Sequence, residues 1–319
     1  MSITLAGHGS TAMSFPQTIK LMERRTQFKM STRVLLLLCM MGVSVMLLSG
    51  GHFGDRNSIL LMLALQGPMV FILPAVLAMA LFYRRPLHVM QLDRAPSLKA
   101  LAVVVVFYVV SIPAMNWLTD LNASMNLPSW MDGIERYMRS FEDTAALTTE
   151  QLLDIRTVGR LIVSVLVIGA MAGLGEEFFF RGAMQRTMQD SRLGAHTAIW
   201  VTAIVFSAIH MQFYGFLPRM LLGAWLGYLF VWTRSLWVPI IAHTLNNSTV
   251  VVMSYLAGKG VVPEGFGDNL GLPADGAFPW MATASLVLSI AIALWAARSF
   301  RNEKHGVEVS DDTHTEATA

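Results

Sequence analysis

The chain has 319 residues, 54% of them hydrophobic and only 14% charged, with a mean hydropathy of +0.53. So few charges cannot cover the surface of a water-soluble protein of this length, where about a quarter of residues are charged. The net charge of +2 says little, because in a membrane protein charges matter by location. The one cysteine, Cys39, excludes an intramolecular disulfide and a cysteine-based zinc cage. It ends the run Leu35-Leu36-Leu37-Leu38-Cys39, without the small residue that a lipoprotein cleavage site would place before it.

A spanning helix needs roughly 20 predominantly apolar residues. By that measure the sequence predicts an all-α, polytopic membrane bundle of about eight transmembrane helices. They fall near Val34–Gly50, Ser58–Tyr83, Leu98–Leu118, Val158–Met188, Ala195–Met211, Phe216–Thr233, Trp237–Ala257 and Phe278–Phe300. The first follows a basic stretch too long for a signal-peptide n-region, so it reads as a retained helix. The organisation expected is a basic arm over 1–33, a membrane domain over 34–300 and a disordered acidic tail over 301–319. An amphipathic surface helix is expected around Trp130–Phe141, where Trp130, Met131, Ile134, Tyr137, Met138 and Phe141 recur at helical spacing.

Lysine and arginine in the loops set the orientation. Lys20, Arg24, Arg25, Lys29 and Arg33 precede the first span. Arg84, Arg85, Arg94 and Lys99 follow the second, Arg186 and Arg192 the fourth, Arg234 the sixth, and Arg298, Arg301 and Lys304 the eighth. The alternate loops, Asp120–Arg156 and Lys259–Pro279, are acidic. Both termini are therefore expected in the cytoplasm of a bacterial plasma membrane.

Charges inside spans are rare, because each costs at least ~2.5–3.5 kcal/mol at a helix centre. The fourth span carries Gly175-Glu176-Glu177-Phe178-Phe179-Phe180-Arg181-Gly182. Glu177 and Arg181 are four apart, in the favourable acid-first order, and can neutralise each other. Glu176 points about 100° away and is left as the less compensated carboxylate, a candidate general base; the plain alternative is a triad that only locks helices together. Phe206 and His210 share a face of the fifth span, where a single histidine is more often a core residue. His243 and Asn247 share a face of the seventh and could be interhelical glue or a pair of hydrogen-bond donors. Counted from the turns near Ser191 and Arg234 at 1.5 Å per residue, Glu176, His210, His243 and Asn247 reach comparable depth. They are expected to meet in a site open toward those turns.

These spaced motifs resemble, in order, those of the CAAX protease and bacteriocin-processing family of intramembrane proteases, related to the type II CAAX prenyl endopeptidases. Glu176, Glu177 and Arg181 match the Glu-Glu-x-x-x-Arg motif, Phe206 and His210 the Phe-x-x-x-His motif, and His243 and Asn247 the His-x-x-x-Asn motif. The resemblance covers roughly Val158–Tyr255 and implies a peptidase core near 158–257. It implies that Glu176 and His210 activate a water, that His243 and Asn247 donate to the oxyanion, and that Glu177 and Arg181 hold Glu176 in place.

Rival protease signatures are missing: there is no His-Glu-x-x-His, and no Gly-x-Ser-Gly within a span. Gly265-Phe266-Gly267-Asp268 does match the Gly-x-Gly-Asp of intramembrane aspartyl proteases, but it lies in a Gly- and Pro-rich loop and no span carries a partner Asp, so it reads as a turn. A metal-free mechanism is favoured because an amide such as that of Asn247 is a poor zinc ligand; the zinc alternative would use Glu176, His210 and His243. The expected partners are membrane lipid and a protein or peptide substrate, with no nucleic acid. Two other readings stand beside the peptidase: a non-catalytic helper that binds a partner membrane protein or peptide, and a transporter with a proton relay, for which no inverted repeat is evident.

Overall fold

The computed structural model describes residues 24–48, 55–191, 193–273 and 277–316, with side chains described to residue 301. The start of the basic arm with Lys20, the loop residues Arg192 and Asp275, and the last residues of the tail lie outside the described residues.

Helices follow the apolar runs. They are α1 (Met30–Leu48), α2 (Arg56–Phe82), α3 (Leu98–Ala123), α4 (Asp132–Leu153), α5 (Val158–Gln189), α6 (Gly194–Ala208), α7 (Phe216–Thr233), α8 (Trp237–Gly258) and α9 (Trp280–Glu316). Polar side chains mark several starts by accepting from otherwise orphaned backbone N–H groups. Asp55 accepts from Asn57 N, Ser97 from Ala100 N and Thr157 from Arg160 N. α9 continues to Glu316, so the tail read from sequence as disordered carries helix up to that residue.

Among the described residues six helices are long and apolar enough to cross a membrane: α1, α2, α3, α5, α7 with the turn before it, and α9 over Trp280–Arg301. The chain is an integral membrane protein. The two other expected spans also form helices, but differ from that pattern. α6 has 15 residues, about 22 Å at 1.5 Å per residue, too short for a ~30 Å hydrocarbon core. α8 has 22 residues but carries His243, Thr244, Asn246, Asn247, Ser248 and Thr249 across its middle.

Among the described residues the two largest of four apolar clusters hold most of the bundle. In one, α1, α2, α5 and the ends of α6 and α7 enclose Leu37, Phe71, Met79, Phe179, Phe180 and Phe206. In the other, α3, α7, α8 and α9 enclose Val103, Trp225, Leu229, Val238 and Phe300, and the Phe107 ring stacks on Trp225 at 3.6 Å. Exposed Leu35, Met46, Val106, Leu166 and Leu288 face outward, as hydrocarbon contact requires.

Three stretches are wound wider than an α-helix, as π-helix: Gly67–Ile72 in α2, and Val165–Met171 and Phe178–Gln185 in α5. The last two flank Glu176 and Glu177. Here α2 and α5 touch backbone to backbone, because a Cβ on Gly175 would stand 3.0 Å from Gly67 Cα and O. α8 runs antiparallel along α5. Thr244 faces Gly173, Asn247 donates to Ile168 O at 3.3 Å and Ser254 to Leu153 O at 3.1 Å.

The described part of the arm is fastened to the bundle. Arg24 donates to the Asp190 side chain at 2.8 Å and to its backbone O at 2.7 Å. Buried Arg33 donates to Tyr83 Oη, which donates in turn to Asp190. α4 corrects the expected surface helix: it does not stop near Phe141 but runs to Leu153. Its far end is held by Arg56 Nε donating to Leu152 O and by Ser254 donating to Leu153 O. Trp130, Ile134 and Tyr137 stay exposed, as an amphipathic helix at a membrane surface would leave them.

Candidate active site

The first ion pair expected from spacing is present. Arg181 Nη1 donates to Glu177 Oε1 at 2.6 Å, with both side chains fully buried. Arg181 Nη2 donates to Gly223 O of α7 at 2.9 Å. The guanidinium lies over the Phe206 ring at 4.8 Å, a cation–π contact that a desolvated site strengthens. Phe206 is the hub of this packing. Its ring meets those of His210 at 5.1 Å, Phe180 at 5.2 Å and His243 at 5.9 Å.

Spacing did not predict where His243 goes. Its Nδ1 lies 2.8 Å from Glu177 Oε1, and its Nε2 is 3.7 Å from Glu176 Oε2. A carboxylate paired with an arginine only accepts, so Nδ1 carries the proton and Nε2 faces Glu176. His243 therefore bridges the two adjacent acids. One, Glu177, is sealed between a guanidinium and an imidazole. The other, Glu176, is half-buried and has no comparable partner.

His210 lies just past the end of α6, in the turn before Phe213–Gly215. The next residue, Met211, takes the left-handed backbone at φ 55. Nδ1 of His210 is 2.7 Å from Phe206 O. A carbonyl only accepts, which leaves Nε2 as the open, basic nitrogen. No ion pair or hydrogen bond joins His210 to Glu176 among the described residues, so water would have to connect them. Asn247 spends one N–H on Ile168 O, and its Oδ1 accepts from Asn246 at 3.1 Å, leaving a second N–H open.

The site opens away from the expected end. Toward Ser191 it is closed by fully buried Phe179, Phe180, Arg181 and Gln185. Half-buried His210, Gln212 and Arg219 lie at the other end, beneath α4. The His210 turn is fixed there by Asn122, which donates to Phe213 O at 3.2 Å and accepts from Leu217 N at 2.8 Å. Arg139 of α4 sits over the Tyr214 ring at 4.4 Å. α6 is short, and His210 lies just past the end of it that is remote from Ser191.

Among the described residues, no three His, Cys, Asp or Glu side chains form a group that could hold a metal. Glu176, His210 and His243 are not drawn together into such a group here, while the contact of His243 Nδ1 with Glu177 would orient Nε2 equally for a metal or for a hydrogen bond. Sequence reasoning also passed over Arg219. It is the sole charge within the Phe216–Thr233 run, and a charge in a span is itself a signal.

Residues 158–249 match the family described as Type II CAAX prenyl endopeptidase Rce1-like. The chain is similar to the membrane-embedded CAAX protease MroQ of Staphylococcus aureus (strain USA300), 33% identical over 115 residues, 34% of this chain and 45% of that protein. It is also similar to the uncharacterized protein YpbD of Bacillus subtilis (strain 168), 23% identical over 148 residues, 45% of this chain and 66% of that one. The chain thus spans less than two thirds of the length of these relatives. No solved structure matches it. The family resemblance carried by the three motifs is borne out over the segment that contains them.

Proposed function

We propose that this membrane protein, whose residues 158–249 fall in the CAAX endopeptidase family, is an intramembrane peptidase with Glu176 as general base. The observation that carries the reading is the buried chain Arg181–Glu177–His243, which leaves His243 Nε2 3.7 Å from Oε2 of half-buried Glu176. A peptide entering from the end beneath α4 presents its carbonyl carbon to a water held by Glu176. Glu176 takes one proton of that water as the oxygen attacks. His210 Nε2, oriented by Phe206 O, accepts the second hydrogen bond of the same water. The open N–H of Asn247 faces the oxygen that becomes negative. A second proton, on His243 Nε2, would make that ring a donor to the same oxygen and balance the charge of the second carboxylate. The amine product leaves with the proton that Glu176 held.

The substrate class we infer is a peptide segment within or at the membrane. The loop charges support both termini in the cytoplasm, which puts the mouth of the site on the outer face. Membrane proteomes of cells expressing the wild type or Glu176→Gln test the activity: fragments present only with the wild type are the expected result. Identical fragment sets, with both proteins folded and equally abundant, would remove the peptidase reading.

A further inference from the structure

Arg219 is a cation with no carboxylate at pairing distance among the described residues, although Glu142 and Glu176 lie within electrostatic range. It stands in the first turn of α7, half-buried, and among the described residues it forms no ion pair. Among the described residues its hydrogen bonds go to neutral groups of one residue: Nη2 donates to Gln212 Oε1 at 2.6 Å and Nη1 to Gln212 O at 3.4 Å. Gln212 is two residues from His210, so the guanidinium is tied to the turn that carries the proposed water-binding histidine. Gly215 keeps this place open, since a Cβ there would stand 3.2 Å from Arg219 Nη2. Arg219 lies within electrostatic range of Glu176 and His210. Across the mouth, Glu142 of α4 is within electrostatic range but does not reach pairing distance, and its buried Oε2 has no hydrogen-bond partner.

A half-buried guanidinium is costly unless a charged acceptor meets it, and its planar fork fits a carboxylate with two parallel hydrogen bonds. Gln212 occupies part of that fork with a neutral acceptor, which an anion can displace at a gain. We propose that Arg219 is the carboxylate-binding subsite of this crevice, receiving the C-terminal or an acidic side-chain carboxylate of the bound peptide close to the bond that is cut. This rests on the peptidase reading above for what the bound peptide undergoes, but not for its binding. The subsite favours peptides with a negative group a short distance beyond the scissile carbonyl. It also fixes their direction, with the carboxylate toward α4 and the mouth.

The experiment uses full-length Glu176→Gln protein in nanodiscs of zwitterionic lipid, immobilised and offered pools of short apolar peptides with randomised interiors. One pool ends in a free carboxylate and one in an amide; two further amide pools carry a fixed Asp or a fixed Asn. The expected result is retention of the acid or the Asp pool about 10- to 100-fold above its neutral counterpart. The ratio should fall near one when Arg219→Gln is added, and persist in part with Arg219→Lys, which keeps the charge but loses the fork. Unfolding midpoints are compared so that a misfolded variant is not read as a lost subsite. Equal retention of acid and neutral pools, or a preference that survives Arg219→Gln in folded protein, overturns the assignment of Arg219 alone. So does an Arg219-dependent retention of phosphatidylglycerol with no peptide preference, which would make the anion a lipid headgroup. Retention of no pool overturns peptide binding itself, and the peptidase reading with it.

Discussion

Replacing Glu177 by glutamine changes little in shape and removes one charge. In the protein that charge is shared by Arg181 at 2.6 Å and His243 at 2.8 Å, and Glu177 and Arg181 are both fully buried. Glutamine can still accept from Arg181 Nη1, so the hydrogen bond survives and the ion pair does not. Breaking a buried pair by removing one partner costs about 3–5 kcal/mol, because the remaining ion is stranded where water cannot reach it. Arg181 has little to fall back on: its other contacts are Gly223 O and the face of Phe206, and its Nε is already without a partner. For a chain of this size such a loss lowers the thermal midpoint by roughly 5–15 °C. The assay is thermal unfolding in detergent, followed by tryptophan fluorescence and by the monodisperse fraction on gel filtration. Glu177→Gln should fall by that amount, and Glu177→Gln with Arg181→Met should recover most of it, since a buried pair exchanged for apolar groups is often neutral. Neither variant should be active, because His243 has lost the carboxylate that orients it. A Glu177→Gln midpoint within about 2 °C of wild type would refute the claim that this pair carries the stability of the site.

Glu176→Gln should behave in the opposite way, losing at least ~10²-fold of turnover with an unfolding midpoint close to wild type, as steady-state rates on an identified substrate and the same melts will show. Asn247→Ala should lower kcat by about 10²–10³-fold with KM nearly unchanged, since an oxyanion donor acts mainly in the transition state; a rise in KM alone would assign Asn247 to substrate binding. Chelation should leave the activity of purified protein intact, because the proposed mechanism uses Glu176 as the base; activity lost to a chelator and restored by zinc would make it a metal ligand instead. Cysteines introduced in Asp120–Arg156 should label from outside intact cells, and those in Arg84–Lys99 only after permeabilisation; the reverse pattern would turn the mouth of the site to the cytoplasm.

The helical fold could be read because hydrocarbon imposes length and composition on each span, and the six longest apolar helices lie where composition put them. The Glu177–Arg181 contact was legible for a similar reason: it is made within one helix, at a spacing that fixes distance. Contacts between helices were less so. That His243 meets Glu177 rather than standing apart with Asn247 depends on how α5 and α8 are rotated about their axes. Two wide-turn stretches in α5 alter that rotation, and nothing in the residues from Val165 to Met171 announces them. The direction in which the site opens was not legible, because it depends on how the turn after α6 folds beneath α4. Arg219 was visible as a charge in an apolar run, but its relation to His210 arises only from the fold of the turn between them.

The wide-turn stretches of α5 bear on how this helix can change by insertion and deletion. Each residue of an α-helix advances the side chains by about 100°, and a single wide turn accommodates one residue beyond what regular winding would hold. Removing one residue between Val165 and Met171 would let that stretch relax to ordinary winding, with better backbone hydrogen bonds. Everything on one side of the cut would then be out of phase with the other by roughly a quarter turn. Phe179, Phe180 and Arg181 are locked in the core, so the rotation would fall on the outer half, where Ile168 meets Asn247 and Gly169 meets Ser248. A shorter helix of this kind could be the more stable one and still be unable to seat α8. The length of this segment is therefore as much a determinant of the site as the identity of its acids.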